Sequence, residues 1–258
     1  MIDTNSMYGN VQEEQDSFVQ LQKQLKQKAE VKIEQAQSVK GADDIVIPDF
    51  PEEYIEATAL ETMYNMQEAL QNILAKKRGT LAPTNKEDNH QNAKRSGYFM
   101  MSTVTELFEL MEQLEKDNFE VTAEGKAEAV DALHFVYNQL LYLKYRPKMT
   151  LQKFYDIAVE DTKTGTVGSN SLQYIIGDFI IAVGDLYQNG KISYKDWKKY
   201  ETWGEDPLKI QELGDKMFIK FMKIFVNLNM SPAEIYACYR SKNIENVNRQ
   251  RLHGRYEK

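Results

Sequence analysis

Apolar residues recur at intervals of three and four along most of the chain, the spacing of amphipathic α-helices. Between residues 52 and 77, one helical face would be formed by Leu60, Met63, Met66, Leu70, Ile73 and Leu74. Glycine and proline are scarce, 13 and 6 among 258 residues, which favours long helices over strands and turns. The pattern predicts an all-α fold built as a helical bundle.

Further helices are predicted at residues 98–116, 122–145, 171–187 and about 207–228. Thr122 is a suitable N-cap, and Ser231 followed by Pro232 marks another helix start, with serine as cap and proline in the first turn. Residues 78–97 predict a polar loop, and residues 147–170 look irregular at their C-terminal end.

Residues 1–47 differ in composition from the rest of the chain. They are rich in Gln, Lys and Glu and carry only a thin apolar stripe, so they predict a peripheral or disordered extension. The Pro48-Asp49-Phe50-Pro51 segment then punctuates the chain. We therefore expect a single helical domain at residues 48–258.

One predicted helix carries two carboxylates among residues that are otherwise apolar. Glu128 and Asp131 share an edge of the helix with Phe135, while most of the remaining circumference is covered by Val130, Leu133, Val136, Tyr137, Leu140 and Leu141. A helix apolar on nearly all sides is buried, and a buried carboxylate is costly unless a cation or a donor compensates it. His134 lies on the apolar side of this helix, so we expect it to be a hydrogen-bonded core residue.

A second acidic pair, Glu106 and Glu109, lies one helix upstream, with Glu112 continuing its edge. The apolar stripe predicted opposite it consists of Val104, Leu107, Phe108, Met111 and Leu114. Alone, this edge would be an ordinary solvated face. Residues 110–127 leave room for two antiparallel helical segments, which would converge the four carboxylates. Oxygen ligands of this kind suit Mg²⁺, usually completed by substrate phosphates.

The charge and cysteine content narrow the function classes. A net charge of −7 argues against a general nucleic-acid binder, and the chain lacks the apolar run of about 20 residues needed to cross a membrane. Cys238 is the single cysteine, which suits a reducing compartment. Since the N-terminus also lacks the pattern of a signal segment, we expect a cytoplasmic protein without nucleic-acid or membrane partners.

The C-terminal residues supply positive charge for a phosphate ligand. Lys242 offers a point charge and Arg249 a planar fork, and amides that could bond a sugar or base stand at Asn243, Asn246 and Gln250. By composition alone, residues 241–258 equally predict a solvated basic tail.

Together these motifs resemble the dimeric all-α dUTPases. The resemblance rests on Glu-x-x-Glu, then Glu-x-x-Asp-x-Leu-His-Phe, then the distal matches Tyr239, Lys242, Asn243, Asn246, Arg249 and Gln250. It implies a homodimer and a deoxyuridine nucleotide as substrate. It further implies Mg²⁺-dependent hydrolysis of dUTP, and of dUDP, to dUMP.

The resemblance also implies roles for individual residues. Magnesium would be bound by Glu106, Glu109, Glu128 and Asp131, with Glu109 orienting or deprotonating a water that attacks the α-phosphorus. Lys242 and Arg249 would contact the phosphates, and the other substrate-binding residues of the distal motif would be Tyr239, Asn243, Asn246 and Gln250. Gln67 is a candidate uracil contact. Asn138 is a candidate sugar contact, or a residue that hydrogen-bonds a metal ligand without binding the metal itself.

Two departures from the family pattern bear on the base. The family commonly has a Lys- and Trp-containing segment after its first acidic motif, where this chain has Lys116-Asp117-Asn118-Phe119, and Arg255 separates the terminal Gly254 from Tyr256. A related enzyme acting on dCTP or a modified deoxynucleotide is therefore one alternative. A non-catalytic helical binding protein is another. Residues 185–196 only partly match a calcium-binding loop and predict a plain Asn-Gly turn.

Overall fold

A computed structural model describes residues 49–78, 89–165, 171–190 and 207–252. Every regular element within these residues is an α-helix, and seven are present: α1 (Ala59–Arg78), α2 (Asn89–Lys116), α3 (Ala123–Tyr142), α4 (Leu151–Thr164), α5 (Leu172–Gly190), α6 (Pro207–Asn227) and α7 (Pro232–Leu252). The predicted all-α class is confirmed. The predicted extension at residues 1–47 lies outside the described residues. Asn189 and Gly190 of the predicted turn are the last two residues of α5, and the residues directly after them also lie outside the described part of the chain.

Helix α3 lies at the centre of the bundle, where α1, α2, α6 and α7 all pack against it. Val130, Leu133 and Val136 are fully buried. This confirms the prediction of a helix that is buried because it is apolar on nearly all sides. None of the helices described here is long and apolar enough to cross a membrane.

The second half of the bundle is built on α6, which packs against α4 and α5. Its core is aromatic: Phe154 meets Phe218 edge-on with ring centroids 4.9 Å apart, and Phe179 meets Phe221 at the same distance. Tyr137 of α3 contacts Phe218 at 5.8 Å, so this aromatic core is continuous with the central helix. Such edge-on pairs add to the free energy gained from burial alone.

The loop predicted at residues 78–97 is wrong for its last nine residues, because α2 already begins at Asn89. Glycine and asparagine in this segment suggested a loop, yet Gly97 is helical for a packing reason. A Cβ atom there would lie 2.8 Å from the Tyr187 hydroxyl oxygen of α5. The glycine therefore lets α5 approach α2 closely.

The apolar stripe predicted for α2 is wrong at Phe108, which is 64% exposed. The buried face runs instead through Thr103, Leu107, Leu110 and Leu114. The stripe had to be placed without knowing that α3 covers α2 on the Leu110 side.

The solvated basic tail predicted from residue 241 is wrong up to Leu252, because α7 continues through those residues. Asn243 and Asn248 are buried there. The predicted start of this helix is confirmed: the Ser231 hydroxyl accepts a hydrogen bond from the Glu234 amide, and the Glu234 carboxylate accepts one from the Ser231 amide.

Tyr145, just after α3, joins the two halves of the bundle. Its backbone carbonyl accepts a hydrogen bond from Tyr64 of α1, and its hydroxyl donates to Asp215 of α6. Its ring lies against Gly214, where a Cβ atom would come within 2.4 Å of the ring carbon Cδ2. No side chain fits at Gly214 unless the Tyr145 ring moves.

We predict that Gly214→Ala lowers the free energy of unfolding by about 1–3 kcal/mol, because the new methyl group overpacks the Tyr145 contact. Gly177→Ala in α5 is the matched control, since a Cβ atom there meets nothing within 4 Å. The control should be neutral or stabilising by up to about 1 kcal/mol, as alanine favours helix. Urea denaturation of both variants measures the difference, and equal effects would contradict the packing argument.

Candidate active site

A tight connection between α2 and α3 sets the two acidic pairs side by side. Asn118 closes α2 with a left-handed backbone (φ 54°), and the Phe119 amide donates to the Leu114 carbonyl. Thr122 caps α3, as predicted, by accepting from the Gly125 amide, and its hydroxyl donates to Asp117 at 2.6 Å. The turn is thereby held at both ends.

Three of the predicted carboxylates converge. Glu106, Glu128 and Asp131 each offer an oxygen, and these oxygens lie within 4.8 Å of one another. Burial, together with the neighbouring carboxylates, raises the pKa of Glu106 to about 7. Burial and the Asp131 carboxylate also raise the pKa of Glu128. The cluster is thus a concentration of negative charge in a half-buried place.

Lys242 of α7 provides the nearest positive charge. Its ammonium nitrogen lies 2.6 Å from Asp131 Oδ2. Burial lowers the pKa of Lys242, but the carboxylates of Asp131, Glu245 and Glu128 together outweigh burial, and the pKa is raised on balance. One ammonium group faces three carboxylates, so the cluster keeps an excess of negative charge.

Glu109, the fourth predicted carboxylate, is exposed, and its oxygens are not among the three that converge. It is nevertheless close enough for its charge to raise the pKa of both Glu106 and Glu128. The structure therefore places Glu109 at the rim of the cluster, on the side open to solvent.

A cleft of about 610 Å³ opens beside the cluster and is the size of many small-molecule sites. Helix α3 contributes Asp131, His134, Phe135, Asn138 and Tyr142 to its lining. Helix α2 contributes Lys94, Arg95, Tyr98, Phe99 and Glu106. Helix α1 contributes Gln67, Leu70, Gln71, Leu74 and Ala75. Helix α7 contributes Lys242, Asn246, Arg249 and Gln250. Helix α3 thus carries carboxylate, aromatic and amide groups along one continuous surface.

A buried hydrogen-bond network holds the amides of the cleft. Gln67 Nε2 donates to Asn138 Oδ1 at 2.8 Å, and Gln67 Oε1 accepts from the Tyr239 hydroxyl at 2.8 Å and from Asn243 at 3.5 Å. Tyr239 and Asn243 are buried and stand behind Gln67 rather than lining the cleft. Of these four predicted substrate-binding residues, Gln67 and Asn138 face the cleft.

Two of the cations lining the cleft, Lys94 and Arg95, were not foreseen from the sequence. They precede Glu106 by twelve and eleven residues, about three helical turns, which places them along the cleft side of α2. The signal was present in this spacing but depended on extending the helix through Gly97. Arg249, which was foreseen, is half-exposed and bonds Glu245 at 3.1 Å.

The residues present fit a divalent cation. The donors are carboxylate oxygens, which suit hard cations, and their mutual repulsion is relieved when a cation binds. Glu106 illustrates the fit, because a carboxylate whose pKa is raised by burial and by neighbouring carboxylates gains most from an added positive charge.

Comparison with protein-family models matches residues 59–254 to the dUTPase family. The chain belongs to the all-α dUTPase family. It is therefore a dUTP diphosphatase, and its substrate is a deoxyuridine nucleotide. This decides against the alternative of a non-catalytic binding protein. Comparison with curated proteins and with solved structures gives no significant match.

The family is generally dependent on divalent metal ions, which agrees with the carboxylate cluster of this dUTPase. The matched region includes both acidic motifs and the whole of α7. The terminal Gly254 and Tyr256 lie outside the described residues.

We predict that Glu106→Gln raises the melting temperature of this dUTPase at pH 8 in EDTA. The pKa of Glu106 in the folded protein, about 7, exceeds the 4.5 of an ordinary glutamate. The free energy of unfolding therefore falls as the pH rises from 4.5 to 7, and the full loss of stability from ionising Glu106 is present above pH 7. The gain should therefore shrink towards pH 5. Added Mg²⁺ should stabilise the unaltered enzyme more than the variant.

Glu115→Gln is the matched control, because Glu115 is an exposed carboxylate on the same helix. Differential scanning calorimetry at both pH values, with EDTA and with Mg²⁺, measures these differences. A Glu106→Gln gain that is the same at pH 5 and pH 8 would contradict the raised pKa that burial and the neighbouring carboxylates give Glu106.

Proposed function

We propose that this dUTPase requires Mg²⁺ and converts dUTP to dUMP and pyrophosphate, and dUDP to dUMP and phosphate. The observation that carries the proposal is the convergence of Glu106, Glu128 and Asp131 oxygens within 4.8 Å beside a cleft of nucleotide size. Magnesium is typically held by a few carboxylates plus the phosphates of a substrate. The excess negative charge of the cluster supports a divalent rather than a monovalent ion.

Magnesium bound there would neutralise phosphate oxygens and lower the pKa of an attacking water. In the proposed step, the water oxygen bonds the α-phosphorus and the bond from that phosphorus to the bridging oxygen breaks, releasing pyrophosphate. Glu109 accepts the proton of the water. Its position at the solvent-exposed rim supports this role, because its carboxylate is not engaged in the convergent set.

The cations of α7 bind the phosphates in this proposal. Lys242 lies at the boundary of the carboxylate cluster and the cleft, so its ammonium can neutralise charge next to the α-phosphate. Arg249 lies at about two helical turns from Lys242 and lines the same cleft, with Asn246 and Gln250 beside it. These groups are candidates for the outer phosphates and the sugar.

The base and sugar are assigned to the amide side of the cleft. Asn138 and Gln67 provide the hydrogen-bonding groups, and Asn138 lies two turns along α3 from Asp131. Tyr239 and Asn243 act through Gln67, since both bond its carbonyl oxygen from behind. Their proposed role is therefore positioning.

We further propose that the enzyme is a homodimer that uses the outer face of α2. This face exposes Met101 and Phe108, each more than half accessible. Large apolar side chains aligned along one helix are unfavourable in water and are typical of protein interfaces. Helix α5, which packs beside α2, adds the exposed side chains of Tyr174 and Ile181.

We predict that Phe108→Glu converts the dimer to a monomer, because a charge in the centre of an apolar interface is costly to bury. Leu208→Glu is the control, since Leu208 is 79% exposed at the start of α6, which is neither of the two helices of this face. Sedimentation equilibrium measures both. A Phe108→Glu variant that keeps the mass of a dimer would rule out this face as the interface.

We predict that the purified enzyme hydrolyses dUTP in Mg²⁺ faster than dCTP, dTTP or UTP. We also predict that Glu128→Gln lowers kcat by at least about a hundredfold, the scale seen when one group stabilising the transition-state charge is lost. The physical reason is the loss of one charge from the convergent set. Release of dUMP and pyrophosphate, followed by ion-exchange chromatography, provides the measurement.

Glu124→Gln provides the control for that experiment, since Glu124 is an exposed carboxylate one turn earlier on the same helix. It should retain full turnover. Preference for another nucleotide, with the same sensitivity at Glu128, would keep the reaction and replace the base assignment. Full activity of Glu128→Gln would remove the carboxylate site from the mechanism.

A further inference from the structure

His134 lines the cleft and carries a buried acceptor that has no partner. The residue is 4% exposed, and its Nδ1 lies 2.9 Å from the Val130 carbonyl oxygen one turn earlier on α3. Its Nε2 is buried and makes no hydrogen bond to any described residue. A buried polar atom without a partner is costly, so its retention beside a cleft needs an explanation.

The tautomer of the ring follows from this contact. A carbonyl oxygen only accepts hydrogen bonds, so Nδ1 carries the hydrogen and Nε2 presents a lone pair. Burial also lowers the pKa of His134 to about 4, so the ring is neutral near pH 7. Nε2 is therefore an acceptor that awaits a donor.

The ring is held in place from behind. His134 stacks on Tyr239 with ring centroids 4.1 Å apart and planes 10° from parallel. The Tyr239 hydroxyl donates to Gln67, and Gln67 donates to Asn138 Oδ1. Tyr239 thus orients both His134 and, through Gln67, Asn138.

Asn138 follows His134 by one helical turn, about 6 Å along the same face of α3. Because its Oδ1 already accepts from Gln67, the group that remains is the Nδ2 donor, which has no hydrogen-bond partner within the described ranges. The cleft therefore presents an acceptor and a donor side by side on one rigid helix.

We propose that His134 Nε2 accepts the N3–H of uracil while Asn138 Nδ2 donates to the adjacent carbonyl oxygen O4, so that His134 determines the choice of uracil over cytosine. The inference rests on the proposed function, in which the base lies on the amide side of the cleft. Cytosine has a lone pair at N3 and an amino group at C4. Its N3 would face the Nε2 lone pair, and its amino group would meet the Asn138 donor.

The test is His134→Phe, which keeps an aromatic ring against Tyr239 and removes the acceptor. The ratio of kcat/KM for dUTP to that for dCTP should fall roughly ten- to hundredfold, the range for one buried hydrogen-bonding group. The melting temperature should not fall, because the variant removes an unpaired polar atom. A lower melting temperature with an unchanged ratio would overturn the proposal in favour of a structural role.

Gln139→Met is the matched control. Gln139 is fully buried on the same helix, neither of its amide atoms has a hydrogen-bond partner in the described part of the chain, and it does not line the cleft. Its replacement should leave the dUTP to dCTP ratio unchanged. A fall in the ratio equal to that of His134→Phe would overturn the assignment to His134.

Two substrate analogues test whether the N3–H of uracil is the group that His134 binds, without relying on the variant alone. N3-methyl-dUTP should be a poor substrate of the unaltered enzyme, and the penalty of the methyl group should shrink in His134→Phe. 3′-Deoxy-dUTP should remain a substrate of both. If the unaltered enzyme turned over 3′-deoxy-dUTP poorly and His134→Phe removed this penalty, Nε2 would be assigned to the sugar and the proposal would be overturned. An unaltered enzyme that does not prefer dUTP would instead overturn the proposed function.

Discussion

The packing of α3 against α1, α2, α6 and α7 is the constraint on which the site depends. Because this helix is enclosed on most sides, a single strip of it faces the cleft, and that strip carries polar side chains. Asp131, His134 and Asn138 lie along this strip at intervals of three and four residues. Metal-binding, aromatic and amide chemistry are therefore ordered along one rigid helix, at separations set by the helical rise.

The enclosed strip creates two opposite electrostatic problems. At the end near Glu128 it concentrates half-buried carboxylates, so that burial and mutual repulsion raise the pKa of Glu106 and leave the cluster suited to a cation. Towards Asn138 it buries neutral polar groups, which are stable there only when they are hydrogen-bonded. Gln67 meets most of that need by bonding Asn138 and Tyr239 together. Charge is left uncompensated where a metal is proposed, and polarity is largely satisfied where the base is proposed.

Helix α7 couples these two regions. Lys242 contacts Asp131, while Tyr239, nearly one turn earlier, stacks on His134 and bonds Gln67. A shift of α7 would move a cation of the phosphate region and the support of the amide network together. This coupling gives a structural reason why the residues of the distal motif occur at helical spacing.

Much of this could be predicted from the sequence, because helical periodicity and charge are local properties. The all-α class, the burial of α3, the caps at Thr122 and Ser231 and the two acidic pairs were all readable in this way. Other features depend on contacts between distant segments. The exposure of Phe108, the helical state of residues 89–97 and the cleft cations Lys94 and Arg95 were decided by which helix covers which. A sequence specifies which faces of a helix are apolar, but only tertiary packing selects which of them is buried, because burial requires a partner surface.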